Sequence, residues 1–186
     1  MEFALLGLLI IPYLLFRYYK VRQYTPFERD LRNYAEGVKL FYEQKYYKAY
    51  AYFDAQSVQN TKSAAAYYYR GKCNLKLENV HSALYDFSIA LTFDNTVPEI
   101  YIEKGKIHLA RNEPARAFRE LNKAVWHART LNAEALRLRA MAHIQLGQLI
   151  EAHEDLQDAL QLGDEHAHYL LKSYPFPNLR SRNNLL

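Results

Sequence analysis

The chain has 186 residues, half of them hydrophobic, with six glycines, six prolines and a formal charge of +4. That length fits one domain with a short segment to spare, and the sparse Gly and Pro suit a packed, mostly helical protein. The single cysteine, Cys73, excludes an internal disulfide and a cysteine-rich metal site, and fits a reducing compartment. Basic residues are interleaved with acids along the chain, so no nucleic-acid surface is signalled.

The first 22 residues, MEFALLGLLIIPYLLFRYYKVR, differ from the rest. Every residue from Phe3 to Phe16 is apolar or a Gly, Pro or Tyr, and Arg17, Lys20 and Arg22 follow. A spanning helix needs roughly 20 residues. Here Tyr18 and Tyr19 suit the interface and Arg17 can snorkel, which extends the usable length, and Pro12 is tolerable in a membrane helix. A cleaved signal peptide would carry its basic flank first and a small-x-small site last, and both are missing. The run shows no helical face, which favours a membrane anchor over 1–22 rather than a helix buried in the protein or a partner. The basic residues after it place the remainder in the cytoplasm by the positive-inside rule. A bacterial inner membrane is the first expectation and the mitochondrial outer membrane the alternative.

Residues 23–29 form a linker leading into the first helix. In TPFE, Thr25 caps, Pro26 suits the first turn and Glu28 completes a capping box. Beyond it a pattern repeats. Gly37, Ala49 and Phe53 are followed by Gly71, Ala83, Phe87 and Ala90, by Gly105, Ala117, Leu121 and Ala124, and by Ala140, Ala152, Leu156 and Ala159. The marker alanines recur after 34, 34 and 35 residues. Each copy reads as two helices, at about 26–43 with 46–57, 63–77 with 80–93, a third pair starting near Thr96-Pro98 and Asn112-Pro114, and 132–146 with 149–162 turning at Gly147. Small residues at the eighth and twentieth positions of a copy let its two helices approach, Phe or Leu at the twenty-fourth fills the space beside them, and Ala at the twenty-seventh admits the next pair. One hairpin cannot bury its apolar faces alone, whereas stacked copies can.

This pattern resembles the tetratricopeptide repeat family over about residues 30–164. The resemblance implies an all-α, right-handed superhelical solenoid over 30–174, with repeats at about 30–62, 63–96, 97–131 and 132–164. A closing helix at 165–174 precedes a loose tail at 175–186. The chain departs from the family at Gln56, where a small residue is usual, at Ala140 in place of Gly, and at Asn95, where a closing proline is usual.

The resemblance further implies a concave groove lined by the first helix of each pair. Position by position this gives Tyr34, Val38 and Phe41, then Tyr68, Lys72 and Lys76, then Ile102, Lys106 and Leu109, and finally Arg137 and Met141. With Lys72, Lys106 and Arg137 along one side, an extended acidic or carboxylate-bearing protein segment with an aromatic or aliphatic anchor suits the groove. The alternative is that these cations form only a solvated face. The Lys/Asn/Arg clamp that some members use on chaperone tails is not matched, because Tyr34, Val38 and Tyr69 stand at its positions. Of the clustered tyrosines, Tyr46 falls with Phe53 at a packing position, whereas Tyr47 and Tyr50 are candidates for exposure, at an interface or against headgroups.

No phosphate loop, HExxH, CxxC or GxSxG occurs. His166 and His168 point to different helix faces, and His143 and His153 lie on separate helices without an evident ligand partner. Glu151, Glu154, Asp155 and Asp158 read as a solvated face. An enzyme, a metal, a cofactor, a small-molecule substrate and a nucleic-acid partner are therefore not expected. The expected function is a membrane-anchored adaptor that recruits a partner protein. The alternatives are a structural subunit of a larger membrane complex and a periplasmic binding module.

Overall fold

In the computed structural model, Tyr13 and residues 25–176 are described. The anchor expected at 1–22, Tyr13 aside, and the tail beyond Phe176 lie outside the described residues. Ten helices and no strand occur among them: α1 (Pro26–Asn33), α2 (Ala35–Tyr42), α3 (Tyr46–Gln59), α4 (Ala64–Lys76), α5 (Val80–Phe93), α6 (Pro98–Ala110), α7 (Pro114–His127), α8 (Ala133–Gln145), α9 (Leu149–Gln161) and α10 (Glu165–Ser173). None of the described helices is long and apolar enough to cross a membrane.

The first turn of α1 carries the capping box: Glu28 N–H donates to Thr25 Oγ1 and Thr25 N–H donates to Glu28 Oε2, both at 3.1 Å. The expected continuous helix over 26–43 is instead interrupted at Tyr34, whose φ of −98° and ψ of 23° leave the α region, although its N–H still reaches Asp30 O. Burial explains the offset. The Tyr34 ring turns inward against Tyr52 and Phe53, and the buried Asp30 accepts a 2.6 Å hydrogen bond from Ser63 Oγ at the start of α4. Pro98 and Pro114 each open a helix, but the starts expected at Thr96 and Asn112 fall one residue later. Val97 and Glu113 occupy the cap positions, while Thr96 spends its hydroxyl on Asp94.

The turn within each hairpin is the same Schellman closure four times. In the second, Asn79 N–H donates to Asn74 O and Glu78 N–H to Leu75 O, with Glu78 left-handed at φ 65°. Gln44, Asn112 and Gly147 hold the equivalent left-handed positions. Only the fourth copy uses the residue without a steric penalty there. The 35-residue step also has a physical location. The α7–α8 connection spans 128–132, against 60–63 and 94–97 for the two before it, and holds Arg129 and Thr130 consecutively at φ 52° and 59°.

Where the helices meet, Ala49, Phe53, Ala83, Phe87, Ala90, Ala117, Leu121, Ala124, Ala140, Ala152, Leu156 and Ala159 have no exposed surface. Gly37, Gly71 and Gly105 are buried with them. The close approach is literal at Gly71, where an added Cβ would lie 2.7 Å from the Phe87 ring and 3.3 Å from Ala83 O.

Candidate functional site

Two sets of charged side chains run through the stack, and they differ in what they face. The first lies between helices. Arg70 on α4 donates from Nε to both Asp86 carboxylate oxygens on α5, at 3.2 and 3.1 Å, and from Nη1 to Asp54 and Ser57 on α3 at 2.8 and 2.9 Å. Asp86, 2% exposed, also accepts from Asn74 at 2.9 Å. One repeat on, Lys104 meets Glu120 at 3.1 Å, and one further, Arg139 donates to Asp155 at 2.6 and 2.8 Å and to Asn122 at 2.7 Å. Burial weakens the charge on Arg70, yet the carboxylates of Asp86 and Asp54 outweigh that and hold its pKa above the ordinary guanidinium value. Asp155 was expected on a solvated face with Glu151, Glu154 and Asp158. It is buried because Arg139 draws it inward, and the other three are exposed.

These rungs escape a search for small and aromatic markers. Their signal is a cation followed by an acid sixteen residues later, recurring with the repeat. The first copy lacks it, having Glu36 and Tyr52 at those places.

The second set lines the first helix of each pair. Of the expected groove residues, Tyr34, Phe41, Tyr68 and Ile102 are buried, at 6%, 6%, 6% and 3% exposure. Their side chains reach between helices: Phe41 meets the edges of Tyr46 and Tyr69, and Tyr68 packs on Phe27 and Phe87. They serve packing rather than offering open surface. Val38, Lys72, Lys106, Leu109, Arg137 and Met141 are half-buried, and Lys76 is exposed. Tyr46 and Tyr50 pack against the core, while Tyr47 is 80% exposed.

The three cations of this face are in different states. Lys106 Nζ is paired with Glu134 at 2.7 Å and with Glu103 at 3.5 Å, and Arg137 Nε donates to Asp164 at 2.7 Å. Burial opposes the charge of Lys106, but the two glutamates outweigh it and raise its pKa above the usual lysine value. Lys72 instead sits over aromatic faces, its Nζ 4.8 Å from the centroid of Phe41, 5.2 Å from Tyr69, 5.4 Å from Tyr68 and 5.9 Å from Tyr42. Among the described residues no group of three His, Cys, Asp or Glu side chains converges as a metal site would require. His143 Nδ1 is 2.7 Å from Gln148 Oε1.

Solved structures share this arrangement of hairpins. MamA residues 41 to the end, from Desulfovibrio magneticus RS-1, is similar with a TM-score of 0.66 and 21% identity, over 77% of this chain and 80% of that one. The fold is that of the tetratricopeptide-repeat proteins. YrrB, described as a TPR protein with an unusual peptide-binding site, matches at a TM-score of 0.63 and 20% identity over 78% of this chain and 79% of its own. The first TPR of Spaghetti (RPAP3), solved with the HSP90 peptide SRMEEVD, matches at 0.56 and 22% identity over 59% and 87%. No family model matches the sequence, and no curated protein does. In tetratricopeptide terms the half-buried set above lines the first-helix face, and the buried rungs tie each first helix to its second.

Proposed function

We propose that the chain is a membrane-anchored scaffold that holds an extended segment of a partner protein against the first-helix face. The partner would present a carboxylate to Lys72 beside an apolar side chain. The observation that carries this reading is the state of Lys72, a half-buried cation over four rings, beside two cations that already have carboxylates of their own chain. A carboxylate reaching Lys72 gains a charge-assisted bond at a site the rings keep partly dry. The same pairing narrows the acidic segment expected from three aligned cations to a single carboxylate, since a second or third acid would meet Glu103, Glu134 or Asp164. The peptide-bound and peptide-binding relatives support a protein partner. The HSP90-type peptide is not carried over, because Tyr34, Val38 and Tyr69 replace the clamp. Anchoring rests on the apolar run from Phe3 to Phe16 with Arg17, Lys20 and Arg22 after it, which also supports a cytoplasmic face.

The test is crosslinking and recovery from native membranes with the intact chain, Lys72→Glu and Lys106→Gln. Loss of one partner with Lys72→Glu alone is expected. The same partners recovered with all three would remove Lys72 and the groove from the reading.

A further inference from the structure

Because each hairpin is antiparallel, the ends of α3, α5, α7 and α9 all lie on the edge of the stack where the chain enters α1. Exposed apolar residues gather on that edge. Val58, Phe93, Trp126 and Leu160 lie in the last turns of the four helices, and Leu162 and Leu131 stand in the connections after α9 and α7. Trp126 and Leu131 are the most open of the set with Val58, at 74%, 74% and 72% exposure. The turns between hairpins are close neighbours here, since Asn95 and Thr96 line a shallow recess together with Trp126, His127 and Arg129. The opposite edge has the more polar turns, Glu43–Lys45, Leu77–Asn79, Arg111–Glu113 and Leu146–Gln148; its exposed aliphatic is Leu146 at 37%, and its open rings are the tyrosines Tyr42, Tyr47 and Tyr174.

The most prominent point of the apolar edge is where the repeat departs from its period. The extra residue of the α7–α8 connection is accommodated by Arg129 and Thr130, both left-handed, and neither is a glycine. The left-handed conformation is unfavourable for any residue that carries a Cβ. Trp126 and Leu131 stand on either side of that turn, with the exposed cations Arg129 and Lys123 nearby in sequence, the Lys123 Nζ lying 5.6 Å from the centroid of the Tyr101 ring. An indole and a leucine beside two cations suit the boundary of a phospholipid bilayer, where the ring sits at headgroup depth and the cations meet phosphates.

We infer that this edge rests on the membrane, with Trp126 and Leu131 at the headgroup and acyl boundary and Lys123 and Arg129 against phosphates. The inference rests on the anchor reading above, because the apolar run over 3–16 is followed by the eight residues 17–24 and the chain then enters the repeats at this edge, at Thr25. An anchor there brings the edge, and not the polar one, to the bilayer. The geometry leaves the Lys72 face running between the two edges, open to a partner from the side.

Trp126 is the only tryptophan in the chain and reports its own surroundings. The full chain is reconstituted into vesicles of phosphatidylcholine and phosphatidylglycerol with plain or brominated acyl chains, and flotation is measured in parallel. Co-flotation, with a blue-shifted Trp126 emission that brominated lipid quenches, is expected. The Arg129→Glu/Leu131→Ser variant changes two exposed positions, and equal helical circular dichroism checks that it folds. It should co-float with a red-shifted and less quenched emission. A chain that floats with Trp126 unquenched overturns the docked edge and leaves the anchor standing, and this is the result expected if a protein covers the edge instead. Quenching equal in the variant and the parent also overturns it. A chain that does not float removes both the anchor and the docking.

Discussion

At the scale of single residues, the three helix-packing glycines are not equivalent. A Cβ at Gly71 meets the Phe87 ring at 2.7 Å and the fixed carbonyl of Ala83 at 3.3 Å, whereas at Gly105 its three nearest atoms are all Leu121 side-chain carbons, at 2.5 to 3.1 Å. The fourth copy already shows an alanine, Ala140, accommodated by Leu156 at the same spacing. A leucine can change rotamer, while a phenylalanine between helices can only move as a plate. Helix propensity favours alanine by about 1 kcal/mol at both sites, and overpacking costs about 1–3 kcal/mol. Gly105→Ala should therefore lie within about 0.5 kcal/mol of the parent and Gly71→Ala should lose about 1–2 kcal/mol. Urea unfolding of the two variants side by side checks the ordering. The small residues were legible in the sequence because a steric demand admits few residue types and recurs at fixed spacing. The burial of Tyr34, Phe41 and Tyr68 was not, because a position on the groove side fixes where a side chain starts and a ring is long enough to end between helices.

At the scale of helices, the buried charge rungs hold the two members of a hairpin together, and the rung of the third copy is incomplete. Glu120 Oε1 meets Lys104, but Glu120 Oε2 is buried without a hydrogen-bond partner. In the neighbouring copies Arg70 and Arg139 engage both oxygens of their acid. Lysine offers a point charge where arginine offers a fork. Lys104→Arg is expected to stabilise the chain by about 1 kcal/mol by satisfying that oxygen. Arg70→Ala leaves Asp86 buried and uncompensated and should cost about 3 kcal/mol. Removing both partners, Arg70→Ala/Asp86→Ala, should recover part of that loss, and a double-mutant cycle by urea unfolding measures it. The rungs were hard to read in advance because their chemistry varies, Arg with Asp in two copies and Lys with Glu in one, while their spacing does not. The capping box at Thr25 and the prolines opening α6 and α7 were legible, since local backbone demands name their residues directly. The break at Tyr34 was not, because it follows from a contact with α3 far along the chain.

At the scale of the whole molecule, several proton-binding groups shift together in the second repeat. Burial pushes the Cys73 thiol up to about 12, and burial also raises Tyr68 and Tyr69. An unfolded thiol titrates near 8.5. Below that pH both states keep the proton and no stability is lost. Between about 9 and 12 the unfolded chain releases the proton while the folded one keeps it, so stability falls with rising pH. Lys106 adds the same sign, since its raised pKa gives stability that is complete below the unfolded lysine value and lost as the pH rises through the folded one. The urea midpoint should therefore be lower at about pH 10 than at about pH 8, with Cys73→Ala showing a smaller drop. In a stack where each hairpin contacts only its neighbours, opening begins locally. Hydrogen exchange at the higher pH should show α4 losing protection before α8. Equal protection in both would disprove that order.

One contact fixes how the array meets mechanical load. Asp30 on α1 is bonded to Ser63 at the start of α4, and Phe27 lies 5.7 Å from the Tyr68 ring on the same helix. A pull applied through the residues before Thr25 does not simply peel the first hairpin away from the rest. It passes from α1 directly into α4 across a buried bond and a ring contact, so the first two hairpins share the tension.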